Sequence, residues 1–340
     1  MRSLFRAARL ALCVGLAASA ATSPTSAWAG LNGNQAWASS FNSTNPPAQG
    51  GRDGAAASSG PASPAGSPGS VNPNGIVNGS PYASTLVGRR FRSEALERTW
   101  SYIVYLPPGY RADGDKFPVL YLLHGNNGNA NDWITQGHLQ TTADALIERK
   151  EMPPVVIVMP QGGTDWYVDR KEKMETAFFD DLLPDVEAHF AVSAQRSGRM
   201  IGGVSMGGFG ALRYAFEQPE RFCGAMLLSP AIYANEPPPD SAARRVGVFG
   251  EREFDPHVWH ALNYPVLWNR YMSRPLRLPF FIASGDDDLT IQAESGALYT
   301  RLRQAGNAAA LRIIDGGHTW TVWSALLPGA LRYTTACVRP

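Results

Sequence analysis

Residues 200–215 read MIGGVSMGGFGALRYA and set one serine, Ser205, among five glycines. Glycine is costly inside regular structure, so such a cluster marks backbone that approaches other groups more closely than a side chain permits. Within it, Gly203 to Gly207 (GVSMG) has the Gly-x-Ser-x-Gly spacing of a nucleophile elbow between a strand and a helix. That turn lifts the serine hydroxyl clear of the sheet. The helix starting at Met206 turns free N–H groups toward developing negative charge. The competing reading is a glycine-rich strand–helix contact with an incidental serine. It loses ground because an apolar, strand-like run precedes the motif and a helix-like run follows it.

Working outward, TLVGRRF and RTWSYIVYLPPGY read as two antiparallel strands closed by the turn at Pro107, Pro108 and Gly109. Strands and helices then alternate. FPVLYLLHG, PPVVIVMPQGG, GRMIGGVS, CGAMLLSPAI, LPFFIASGDDD and AALRIIDGG are short apolar strands. Between them lie helical patterns, among them ETAFFDDLLPDVEAHF with Pro184 inside it and a closing helix in TWTVWSALLPGALRY. Continuous apolar strands alternating with helices imply an α/β domain with a mostly parallel central sheet and helices on both faces. With the elbow, this is the α/β-hydrolase fold, expected over residues 81–340. A less regular insert, about 233–275, is expected over the C-terminal strand ends, where such sheets bind ligands.

A serine needs a base and an orienting acid, which in α/β-hydrolases follow in the order Ser, Asp or Glu, His. Of six histidines, three come after Ser205. His318, after a strand and two glycines in IIDGGHTW, is the base by position. His257 and His260 (HVWH) lack a third ligand nearby and read as packing and surface, so no metal or other cofactor is expected. The acid stands in SGDDDL as Asp286, Asp287 or Asp288, and spacing alone does not choose among them. The oxyanion donors are expected at the N–H of Met206 and, from the loop LLHGNNGNANDW, the N–H of Asn126. His124 reads as a residue that orients this loop without taking a chemical step.

The N-terminus carries Arg2, Arg6 and Arg9, an apolar stretch of about a dozen residues and then Ala27-Trp28-Ala29. This is the pattern of a secretory signal peptide over 1–29, too short for the roughly 20 residues of a membrane span. A lipoprotein reading at Cys13 is disfavoured by the bulky Leu12 before it. Residues 30–80 are rich in Gly, Ser, Pro and Ala with almost no charge, and are expected to be disordered. The chain is therefore read as secreted or periplasmic. An oxidising compartment permits a disulfide; whether Cys223 at the head of an apolar strand and Cys337 near the terminus pair is left open by the sequence, and of the two readings they are preferentially read as unrelated. The 340 residues carry 17% charged side chains and a formal net charge of +1. That balance excludes a basic nucleic-acid surface. Oligomeric state is not legible.

YIVYLPPGY, FPVLYLLHGNNGNANDW, TDWYVD, FFDDLLPDVEAHF, GGVSMGGFGAL, SGDDDL and GGHTWTVW occur in this order. Together they resemble the esterase D-like family of α/β-hydrolases, from about Leu86 to Arg332. That family includes feruloyl and acetyl esterases and the mycobacterial mycolyltransferases. The resemblance implies Ser205 and His318 as catalytic residues. It also implies Asp288 as the acid, counted Gly-x-x-Asp from Gly285, and Asn126 and Met206 as oxyanion donors. The match to S-formylglutathione hydrolases is poorer at the oxyanion loop. Met206-Gly207-Gly208 and an aspartate acid are closer to the carbohydrate-ester branch, whereas TDWYVD is similar to the transferases' aromatic stretch.

Trp133, Trp166, Tyr167 and Trp320 adjoin the presumed active-site loops. Each is read either as lining a substrate pocket or as core packing. The leading functional reading is an exported serine esterase acting on small-molecule or carbohydrate esters through an acyl-enzyme. The alternatives are acyl transfer to a sugar or lipid hydroxyl, and a non-catalytic envelope-binding module.

Overall fold

The computed structural model describes residues 82–338. The predicted signal peptide (1–29) and the Gly/Ser/Pro-rich segment (30–80) lie outside them. The chain opens with β1 (Thr85–Ser93) and β2 (Arg98–Leu106), an antiparallel pair in register from Thr85 opposite Leu106 to Ser93 opposite Arg98. There follow β3 (Val119–Leu123), a single turn α1 (Asp132–Thr135), α2 (Leu139–Glu148) and β4 (Val156–Pro160). Next come α3 (Met174–Thr176), a π-helical segment (Ala177–Leu182), α4 (Leu183–His189), β5 (Arg199–Val204) and α5 (Met206–Glu217). The remainder runs β6 (Gly224–Leu228), α6 (Pro256–Leu262), α7 (Tyr264–Ser273), β7 (Phe280–Gly285), α8 (Leu289–Gln304), β8 (Ala309–Ile314) and α9 (Trp320–Thr335).

The strands form one sheet in the order β1-β2-β4-β3-β5-β6-β7-β8. Every neighbouring pair from β4 to β8 is parallel, and the antiparallel β1–β2 pair closes one side. The expected α/β-hydrolase architecture is thus present. Side chains alternate across a strand, so an apolar run feeds two cores at once. In β3, Val119, Tyr121 and Leu123 enter one core while Leu120 and Leu122 enter the other. The second core is completed by α2 and α9, through residues such as Leu139, Leu146, Leu327 and Leu331. The first is covered by α5 and α8, with Leu212, Phe216, Leu298 and Leu302.

Two local features depart from the sequence reading. The single helix expected over ETAFFDDLLPDVEAHF is interrupted by π-helical geometry immediately before Pro184. Proline has no N–H for the i→i−4 bond and its ring crowds the preceding turn, so the ladder widens there. The second is a correction: Cys223 and Cys337, read as unrelated, form a disulfide. Helix α9 packs along β5, β6 and β7 and returns the chain to the head of β6. The approach is so close that a Cβ on Gly224 would lie 3.1 Å from the Cys337 sulfur. A sequence separation of 114 residues hid this contact.

Closing a loop of that length removes denatured-state entropy worth about 4–5 kcal/mol in the chain-entropy account. Replacing both cysteines with serine is expected to lower Tm by about 10 °C, at roughly 2–4 °C per kcal/mol for a domain of this size. Differential scanning calorimetry without reductant measures it, and an unchanged Tm would refute a structural role for the bond.

Candidate active site

The parallel strands end side by side, and this sets the site. Leu123 at the end of β3 is opposite Gly203, and Val204 at the end of β5 is opposite Leu228 of β6. Ser205 follows at once with φ 55° and ψ −116°. A non-glycine residue so far into positive φ stores on the order of 1–3 kcal/mol and persists only where its surroundings hold it. The surroundings here are glycines with no room to spare. A Cβ on Gly203 would sit 2.2 Å from the Gly207 carbonyl oxygen, and one on Gly207 would sit 2.1 Å from the Leu123 oxygen. Ser205 N–H donates to the Leu228 carbonyl (2.9 Å) and Ala231 N–H donates to the Ser205 carbonyl (3.1 Å), fastening the turn.

At the end of β8 the chain turns through Gly316 and Gly317 to His318. A Cβ on Gly285 would lie 1.9 Å from the Gly316 oxygen, so glycine is needed where β7 and the histidine loop touch. His318 Nε2 accepts from the Ser205 hydroxyl (2.8 Å), and its Nδ1–H donates to Asp288 Oδ2 (2.5 Å). The three aspartates divide by position. Asp288, at the head of α8, holds the imidazole. Asp286 Oδ1 accepts from Gly316 N–H (2.9 Å), bracing the loop, and the exposed Asp287 joins it through its backbone N–H.

The facing wall is the loop after β3. Buried His124 accepts at Nε2 from Gly162 N–H (2.8 Å), which puts its proton on Nδ1, and Nδ1–H donates to the Gly125 carbonyl (2.8 Å). Gly128 N–H donates to the same carbonyl (3.1 Å). A trans peptide turns its N–H opposite to its C=O, so the Asn126 N–H faces away from these two donors. Asp132 accepts from Asn129 through N–H (2.9 Å) and Nδ2 (3.0 Å), tightening the loop. Met206, the first residue of α5, has no intrahelical acceptor for its N–H. A cleft of about 490 Å³ brings together Gly125, Asn126, Ser205, His318, Trp320 and Trp323.

Of the four aromatic residues weighed for a pocket, Trp320 lines this cleft. Trp133, Trp166 and Tyr167 are buried, no more than 1% exposed, and do not line it; of the two readings, packing is the one their burial fits. Trp133 supports Trp320 edge to face at 5.3 Å. Trp166 packs against Phe209 of α5 and against Phe249 and Trp259 of the 233–275 insert. That insert reaches the cleft through Ala242. The sequence reading missed Trp323, whose ring meets His318 edge to face at 4.9 Å while its Nε1–H donates to Ser229 (2.9 Å). Its spacing three residues after Trp320, on one helix face, was the available signal. Asp132, Gln136, Thr319 and Thr321 also line the cleft and carry no motif.

An activated hydroxyl beside an imidazole and a carboxylate, with backbone donors opposite, performs acyl transfer from esters. Fold and arrangement together define the class of serine carboxylic ester hydrolases with the α/β-hydrolase fold. The chain belongs to the Esterase family, whose model matches residues 93–334. An acetyl esterase of Caldicellulosiruptor saccharolyticus is 26% identical over 267 residues, 72% of this chain and 95% of that protein. An esterase of Mycobacterium tuberculosis is 37% identical over 143 residues, 40% of this chain; the match spans only 30% of that protein's length. Among solved structures, a ferulic acid esterase superposes with a TM-score of 0.63 at 27% identity, covering 76% of this chain and all of that one.

Burial lowers the pKa of His124 from its ordinary 6.5. The folded protein thus takes up this proton at lower pH than the unfolded chain. Stability from this group is full above 6.5 and is lost as pH falls. His124→Asn is expected to shrink the Tm difference between pH 7.5 and pH 5.5 relative to wild type. An equal difference in both proteins would show that His124 is not held neutral.

Proposed function

We propose that the protein is an exported serine esterase with Ser205 as nucleophile, His318 as general base and acid, and Asp288 as the orienting carboxylate. The observation that carries this is the unbroken path from Ser205 Oγ to His318 Nε2 (2.8 Å) and from Nδ1 to Asp288 (2.5 Å). In the first half-reaction, Ser205 Oγ adds to the ester carbonyl carbon as its proton moves to His318 Nε2. The tetrahedral oxyanion is held by the N–H groups of Asn126 and Met206. Its collapse expels the alcohol, which takes the proton from His318, and leaves an acyl-serine. Water then repeats the sequence and releases the acid.

Hydrolysis is favoured over transfer to a second alcohol because the His318 side chain is 38% exposed. The imidazole that must activate water is open to solvent, whereas transfer requires water's exclusion. Trp320 beside Gln136, Thr319 and Thr321 offers an apolar face next to hydrogen-bonding groups. That combination suits the acyl ester of a sugar or another small polyhydroxy alcohol. The acetyl and ferulic acid esterases among its relatives agree with such a substrate. Export is supported by the Cys223–Cys337 disulfide, a bond that persists in oxidising compartments, together with the N-terminal signal pattern.

Turnover of p-nitrophenyl acetate tests the assignment. Asp288→Asn is expected to lower kcat by about 10⁴-fold, the scale seen when a triad aspartate is neutralised. Asp287→Asn should stay close to wild type, and Asp286→Asn should fall between them by loosening the histidine loop. Equal losses at all three positions would overturn the assignment of Asp288.

A further inference from the structure

Trp166 and Tyr167 adopt φ of 53° and 57° in succession. Two bulky residues in the left-handed region side by side are a genuine outlier, since each meets its own Cβ clash. Strain of this kind is retained when it places something. What it places is the Tyr167 ring, wedged between two backbones. A Cβ on Gly162 would lie 2.5 Å from that ring and a Cβ on Gly210 would lie 2.7 Å from it. From this slot the Tyr167 hydroxyl donates to the His124 carbonyl (3.1 Å). Gly162, pressed against the ring, is also the residue whose N–H binds His124 Nε2 (2.8 Å). Trp166 anchors the strained pair in the aromatic cluster formed with Phe209, Phe249 and Trp259.

We infer that Tyr167 is a positioning residue for the oxyanion peptide, acting through His124. Its hydroxyl fixes the peptide that leaves His124, and the His124 ring fixes the next carbonyl, that of Gly125. The direction of the Asn126 N–H follows from both. Glycine at 162 and 210 is the accommodation for this strut, and α5, which carries Ser205 at its head, is registered against the same ring through Gly210. Nucleophile and oxyanion donor are thereby set relative to one buried phenol. The inference rests on the proposal that the Asn126 N–H stabilises an oxyanion.

Tyr167→Phe keeps the ring and deletes the hydroxyl. The account expects kcat for p-nitrophenyl acetate to fall about tenfold, part of the 10²–10³-fold that loss of a whole oxyanion donor costs, with KM within twofold. Phenylboronic acid is the second probe. Ser205 Oγ bonds to its trigonal boron as its proton passes to His318 Nε2, giving a tetrahedral boronate with an oxygen where the oxyanion would sit, so its Ki should rise by a similar factor. Tyr271→Phe controls for buried-hydroxyl loss, because the buried Tyr271 hydroxyl donates to Asn307 Oδ1 (2.9 Å) and not to the oxyanion loop; it should leave both readouts unchanged. If Tyr167→Phe lowers Tm but leaves kcat and the boronate Ki at wild-type values, the strut is structural only and the inference fails. Should Tyr167→Phe not fold, His124→Gln must show the same paired loss, and normal kcat there overturns the inference equally. If wild type itself neither turns over ester nor binds the boronate, the underlying esterase proposal is at fault and the strut falls with it.

Discussion

The architecture of the site depends on one close approach, that of helix α5 to the ends of β3 and β5. A Cβ at Gly207 would overlap the Leu123 carbonyl, and one at Gly203 would overlap Gly207. With side chains there, α5 could not begin so close to the ends of these central strands and the turn at Ser205 would relax out of positive φ. The serine hydroxyl would no longer meet His318. The elbow is local in sequence, but its strain is borne by distant contacts. Hydrogen bonds from Ser205 to Leu228 and from Ala231 back to Ser205 tie the turn to β6. Aromatic packing of Phe209 against Trp166 and Trp259 loads the helix from behind.

The same economy recurs on either side of the nucleophile. At β7 and β8, Gly285 lets the Gly316 turn close so that Asp288 and His318 meet, with Asp286 fastening the loop to its neighbouring strand. At β3, a neutral His124 spans two loops and rotates one peptide. The edge-to-face series His318–Trp323–Trp320–Trp133 then joins the two walls of the cleft. It presents an indole surface to the cleft through Trp320 and Trp323.

Much of this was legible in the sequence where the signal was local. Apolar strands alternating with helices gave the sheet, and GVSMG between such elements located Ser205. IIDGGH placed a histidine on a strand-end turn. Among three adjacent aspartates, spacing did not choose; family resemblance pointed to Asp288, and its carboxylate is the one within 2.5 Å of His318 Nδ1. Legibility ended where partners lie far apart along the chain. Cys223 and Cys337 meet only because α9 returns along the sheet. Trp166 and Tyr167 sit beside active-site loops in sequence yet turn inward: Trp166 joins the cluster of Phe209, Phe249 and Trp259, and Tyr167 fills a slot that Gly162 and Gly210 open and no local pattern announces. The π-helical segment reflects a conflict between helix propensity and Pro184, and the pattern alone showed only the helix.

The central claim, an acyl-enzyme on Ser205, is tested most directly by trapping it. Full-length protein mixed rapidly with p-nitrophenyl acetate, acid-quenched and digested should yield one peptide heavier by a single acetyl group, modified at Ser205. The label should disappear in Ser205→Ala together with turnover. Continued turnover by Ser205→Ala, or an acetyl group located at another residue in the productive enzyme, would contradict the account.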